Sequence, residues 1–275
     1  MKNIKYILLI LTAVFFTACE KVVDVDLDTA APRLVVDASI NWLKGTDGSQ
    51  QKIKLTTTTG YYSKDIPIVS GATVFITNTT TNTVFNFTET AGTGEYFCNN
   101  FLPVINNTYV LTVMHNGETY NATEKLYAVP KISRVIQDNE GGFLNEDIEI
   151  RFFFMDNPAE NNFYLIRYDT DVLPYADYNV LDDEFFQGNE MFDFIDNEDF
   201  KAGDVVGLNL YGISERYNNY MSIVISMVEG GAGSGPFQTP PVNVRGNMVN
   251  QTNSKNFAYG YFRLSESDKL EYTIQ

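Results

Sequence analysis

Cysteine, histidine and tryptophan are nearly missing from this sequence: two, one and one among 275 residues. With Cys19 and Cys98 as the only thiols, no disulfide framework can support the fold, so a packed core must. The same counts exclude zinc sites built from several Cys and His ligands. A Ser-His-Asp triad would have to use His115, beside the turn pair Asn116-Gly117, which disfavours hydrolysis of that type. Glycine-rich nucleotide loops and the HExxH zinc motif are absent. Positive charge is also scarce, with 19 Lys+Arg against 35 Asp+Glu and a net charge of −16. An acidic surface disfavours nucleic acid and anionic headgroups, and no nucleic-acid partner is expected. Long apolar runs are lacking too. The longest, Tyr6 to Phe16, is eleven residues and too short to span a bilayer.

That short run is informative in its setting. Lys2 and Lys5 precede it, and Thr17-Ala18-Cys19 follows, so residues 1–18 read as a secretory signal peptide ending at a cysteine. An ordinary cleavage site needs small residues but no cysteine directly after them; a bacterial lipoprotein signal does. Phe16-Thr17-Ala18-Cys19 resembles the relaxed lipobox of Bacteroidetes, and Cys19 is expected to carry lipid and become the first mature residue. Removing Lys2 and Lys5 leaves 17 Lys+Arg against 35 Asp+Glu, or −18. Attachment to the membrane is therefore expected through the N-terminal lipid rather than a basic patch. Residues 19–32 read as an acidic tether, with Glu20, Asp24, Asp26 and Asp28 suited to a surface-export signal. The expected location is the outer membrane, at the cell surface. Cys98, the other thiol, sits in an alternating apolar stretch and reads as a buried small hydrophobe.

Residues 33–128 read as short strands rich in β-branched and aromatic residues: RLVVDASI, KIKLTTTT, ATVFITN, TVFNFTE, GEYFC and TYVLTVM among them. Asn116-Gly117 suits a type I′ hairpin turn, and TNTTTN marks a second hairpin. About seven strands in this length predict an immunoglobulin-like β-sandwich, with Trp42 capping its core. Val129-Pro130 marks a boundary, and residues 129–275 predict a second β-rich domain. Its one helical segment starts at Ser214 as N-cap and places Tyr217, Met221, Val224 and Val228 on one side. The fold class is thus mainly β, a sandwich followed by a β-rich domain with one helix.

The acidic stretch from Leu181 to Phe200 is the one concentration of chemistry. It reads first as a solvated loop; Asp193, Asp196, Glu198 and Asp199 are the alternative calcium ligands, and paired carboxylates for glycoside hydrolysis come last. Phe185, Phe186, Phe192 and Phe194 lie among the acids. They read first as closing a small core beneath the loop, and otherwise as a recognition surface. No catalytic residue and no cofactor are assigned.

The C-terminal stretch carries a resemblance. Pro236-Phe237, Pro240-Pro241, Asn247-Met248 and Tyr259-Gly260-Tyr261-Phe262 occur in the order of a signature of Bacteroidetes lipoproteins known as domain of unknown function 4249. The lipidated cysteine, acidic tether and RLVVDASI strand are similar to that family too. It departs in the polar NQTNSKN approach to the aromatic strand. The resemblance implies no enzymatic activity. It implies an outer-membrane lipoprotein that accompanies a TonB-dependent transporter as an accessory or ligand-capture partner. The alternative is a structural or adhesive surface lipoprotein that binds extracellular polymers.

Overall fold

The computed structural model describes residues 30–60, 63–144, 146–231 and 243–275. Cys19, most of the tether, Pro236-Phe237 and Pro240-Pro241 lie outside them. The chain is mainly β with one helix among the described residues.

The first half builds a sandwich. Strands β1 (Leu34–Leu43), β2 (Gln51–Thr57) and β5 (Glu95–Cys98) form one side. Strands β4 (Thr83–Glu89), β3 (Thr73–Asn78), β6 (Thr108–His115) and β7 (Glu118–Tyr127) form the other. Each strand alternates as its sequence does, so Leu34, Val36, Ala38 and Ile40 point into the same core as Tyr109, Leu111 and Val113. Asn116 (φ 49°) and Gly117 (φ 77°) both adopt left-handed backbone, as a type I′ turn requires. Trp42 packs partly buried against this core, and its indole N–H donates to the Thr46 carbonyl at 2.9 Å. Cys98 is buried, with its thiol pushed up by desolvation.

The last strand joins this sandwich to everything else. β15 (Tyr259–Thr273) runs parallel to β1 from Val35↔Tyr259 to Leu43↔Ser267. It also touches β7 at Leu264↔Leu126. Its second half pairs antiparallel with β13 (Val205–Ile213), which continues through β10 (Phe163–Asp169) to the edge strand β11 (Asp177–Asp182). Met248, Ala258, Phe262 and Leu264 therefore belong to the sandwich core, although they lie far beyond Val129-Pro130. Two cores do flank that dipeptide, but the C-terminal segment returns to complete the first, and Pro32–Gln275 is one compact unit. Side chains of β15 also tie down the crossing point: Glu266 accepts from the Val129 N–H at 3.0 Å, and Asp268 from the Ile132 N–H at 2.7 Å.

Around the β15–β13–β10–β11 sheet the second half stacks three layers. A three-stranded sheet, in the order β12 (Glu190–Asn197), β9 (Asp147–Met155), β8 (Ile132–Gly141), lies on one face. Ile150, Phe152, Phe154, Met191 and Ile195 pack there against Ile166, Tyr168, Leu208 and Leu210. Helix α1 (Glu215–Gly231) covers the opposite face, seating Tyr217, Tyr220 and Met221 on Leu165, Tyr211, Ile213 and Tyr261. Ser214 caps it: the Tyr217 N–H donates to Ser214 Oγ at 3.2 Å, and that hydroxyl donates to the buried Glu124 at 3.0 Å. The expected apolar stripe holds for Tyr217 and Met221 but fails at Val228, which is 73% exposed.

Candidate recognition face

β12 decides what the acidic, aromatic stretch does. Period-two alternation turns Met191, Asp193 and Ile195 inward and Phe192 and Phe194 outward. The expected small core of phenylalanines is therefore corrected: Phe192 is 45% exposed and Phe194 43%. Phe185 and Phe186, in the turn from β11 to β12, are exposed as well. The inward acid is satisfied instead. Asp193 accepts from the Tyr168 hydroxyl at 2.8 Å and from Asn179 Nδ2 at 3.0 Å. Burial raises its carboxyl pKa above the ordinary range, while those two bonds pull it back. The hydroxyl of Tyr168 is pushed up by desolvation and by that same carboxylate.

Registers across the three strands assemble the outer face in rows. Arg134 of β8 lies opposite Phe153 of β9, which lies opposite Phe192 of β12. The next row is Ile136, Arg151 and Phe194. Arg134 stands 3.5 Å over the Phe153 ring, and the Phe153 and Phe192 rings are 5.7 Å apart. Arg151 lies 5.1 Å from Phe192 and 5.8 Å from Phe194. Both cations have carboxylates, Glu190 at 2.7 Å for Arg134 and Glu149 for Arg151. Exposed Ile136 and Met155 extend the apolar area. The arrangement is a charge-balanced aromatic face, its two arginines each paired with a carboxylate and stacked on a ring.

The calcium candidates are not brought together. Asp193 points into the core, Asp196 lies on the opposite face of β12, and Glu198 and Asp199 sit in the turn beyond it. Among the described residues no three His, Cys, Asp or Glu side chains converge as a metal site. The expected solvated acidic stretch holds for Asp182, Glu184, Glu190, Glu198 and Asp199, which are exposed. It fails at Asp193 and at Asp183, which is buried and accepts from the Asn162 N–H at 2.9 Å.

Comparison with known proteins adds the family. A model described as "Domain of unknown function (DUF4249)" matches residues 20–271. The chain belongs to this family. No curated protein matches it. Among solved structures, a two fibronectin type-III domain segment from chicken tenascin matches at 8% identity and a TM-score of 0.22, over 66% of this chain and 90% of that one. The FN1–FN3 domains of chicken CNTN1 match at 13% identity and a TM-score of 0.27, over 66% of this chain and 60% of that one. At these scores neither likeness bears on function.

Two marks of the domain of unknown function 4249 resemblance have a physical reason here. Asn247 is buried and pairs with both backbone groups of Phe262, donating to its carbonyl at 2.7 Å and accepting from its N–H at 2.9 Å. It thus replaces a strand neighbour with a side chain. Gly260 has φ +85°, and a Cβ there would meet the Val36 carbonyl oxygen at 2.0 Å, so β1 and β15 can approach only with glycine in place. Neither role was visible in the sequence, where a lone Asn and a Gly carry no partner information.

Proposed function

We propose that the protein is a lipid-anchored, non-enzymatic accessory of an outer-membrane TonB-dependent transporter, docking through the outer face of β8, β9 and β12. The observation that carries this reading is the uncovered row Arg134–Phe153–Phe192 with Phe194 beside it. Aromatic and arginine side chains dominate the buried centres of protein interfaces, because they bury large area at little cost in conformational entropy. Arginines already paired and stacked need no new carboxylate from a partner when water leaves. The lipobox ending at Cys19 supports the membrane anchor, and the family resemblance supports the choice of partner.

The test is purification of the tagged protein from native outer membranes in mild detergent. A stoichiometric TonB-dependent barrel is expected with the natural chain, and its loss with a Phe192→Ala/Phe194→Ala double variant of unchanged melting temperature. Recovery of the lipoprotein alone, with a control complex intact, would sink the transporter reading and favour a structural or adhesive role on extracellular polymers.

A further inference from the structure

At the other end of β15, where the chain leaves the tether, lies a cluster of cations and aromatic rings apart from the recognition face. Arg33 stands 3.9 Å and Arg245 3.6 Å from the centre of the Phe257 ring. Two guanidinium groups cannot share one ring face at those distances, so they enclose Phe257 from both sides. Exposed Lys255 adjoins them, with its carbonyl accepting from Arg33 at 3.1 Å. Tyr259 meets Phe257 edge-on at 5.1 Å. None of the ion pairs among the described residues involves Arg33, Arg245 or Lys255. The Glu118 carboxylate, joined to Arg33 through Asn256, is occupied by Tyr120 and Asn256. In a chain of net charge −16, three cations that form no ion pair among the described residues and gather around an aromatic pair are an exception that suits an anion.

Position says which anion. Twelve residues lie between Cys19 and Pro32, and the ends of a chain of that length stand on average about 20 Å apart. Fifteen-residue β15 is about twice as long, on the order of 46 Å. A bilayer held by lipid on Cys19 thus meets the Arg33 end of the protein far more readily than the Thr273 end. We infer that Arg33, Arg245 and Lys255 bind lipid headgroup phosphates, with Phe257 and Tyr259 at the interfacial depth, and so set the protein's orientation on the membrane. Guanidinium forks match phosphate oxygens, and aromatic rings favour the headgroup layer. This inference rests on the lipid-anchor reading above. It also qualifies the sequence expectation that only acyl chains attach the protein, because Arg33, Arg245 and Lys255 gather in one place despite the acidic average.

The experiment uses the acylated mature chain in phosphatidylcholine vesicles containing about a third phosphatidylglycerol, with nitroxide-labelled lipids as quencher. A fluorophore is placed at Ser254→Cys or, as the distal control, at exposed Lys201→Cys, close to where Gly203 bonds Ile274. Severalfold stronger quenching is expected at position 254 than at 201. Raising the salt to about 0.5 M should reduce the difference severalfold in the unaltered patch, to what the tether alone gives, since screening weakens exposed ion contacts. Arg33→Gln/Arg245→Gln should reduce it equally, and Arg33→Lys/Arg245→Lys should reduce it less. Equal quenching at both positions, or a difference indifferent to salt and charge, would overturn this inference while leaving an acylated Cys19 in place. A mature chain whose mass shows no acyl group would overturn the anchor reading itself, and this inference with it.

Discussion

The second half of the molecule has two outer faces, and the same chemistry builds both. Beneath α1, Arg263 lies 4.9 Å from the Tyr211 ring and 5.4 Å from the Tyr217 ring, only 7% exposed. It donates to Ser265 Oγ at 2.7 Å and leaves Nε without a partner. On the far side, Arg134 and Arg151 stack on Phe153, Phe192 and Phe194, with no helix over them. A sheet face of aromatics and arginine is apolar enough to reward a cover. One face is covered within the chain. The other is left exposed, and this contrast supports the proposed docking face more than exposure alone would.

Removing Tyr217 should break the covered side most severely. Tyr217→Ala takes a buried ring from Tyr261 and Tyr220, 4.7 and 5.9 Å away, and should cost about 3–4 kcal/mol in urea unfolding. Asn247→Ala should follow at about 2–3 kcal/mol, because the N–H and C=O of Phe262 both lose their partner in a dry site. On the bare side the scale should reverse. Phe192→Ala and Phe194→Ala should each cost less than about 1 kcal/mol of stability yet remove the co-purifying barrel; a large loss of stability would mean the face is structural after all.

The smallest effect concerns Asp193, between the two faces. Its raised pKa means that the native state keeps a proton the unfolded chain releases. Stability contributed by this group therefore falls as pH rises from the ordinary carboxylate value through the raised one. Asp193→Asn keeps the shape and removes the charge. Unfolding curves across weakly acidic pH should flatten in that variant, with neutral-pH stability equal or higher by about 1 kcal/mol at most.

Much of this was legible. Period-two alternation marked the sandwich strands, Asn116-Gly117 its hairpin, and Ser214 the start of the helix. The acidic stretch misled because its amphipathic sense is inverted: β12 hides an aspartate and shows two phenylalanines, which only the Tyr168 and Asn179 donors across the core make possible. β15 was hidden past Phe262 for a related reason. Arg263, Ser265, Glu266 and Ser267 look like surface residues, yet all are buried where the strand passes between neighbours on both sides. Pattern reading assigns polarity to solvent, and here polarity marks a junction whose partners in β1 and β7 lie more than a hundred residues away.

That junction also sets a timetable. The partner of Val35 is Tyr259, so one of the first strands to be made waits for one of the last. Pairing so distant in sequence is slow to form, because the loop must close before any contact repays it. The front sandwich cannot finish until the whole chain is available, and a nascent or prematurely terminated chain would present β1 as an open edge. The last strand is thereby a single reporter for the completeness of the entire molecule.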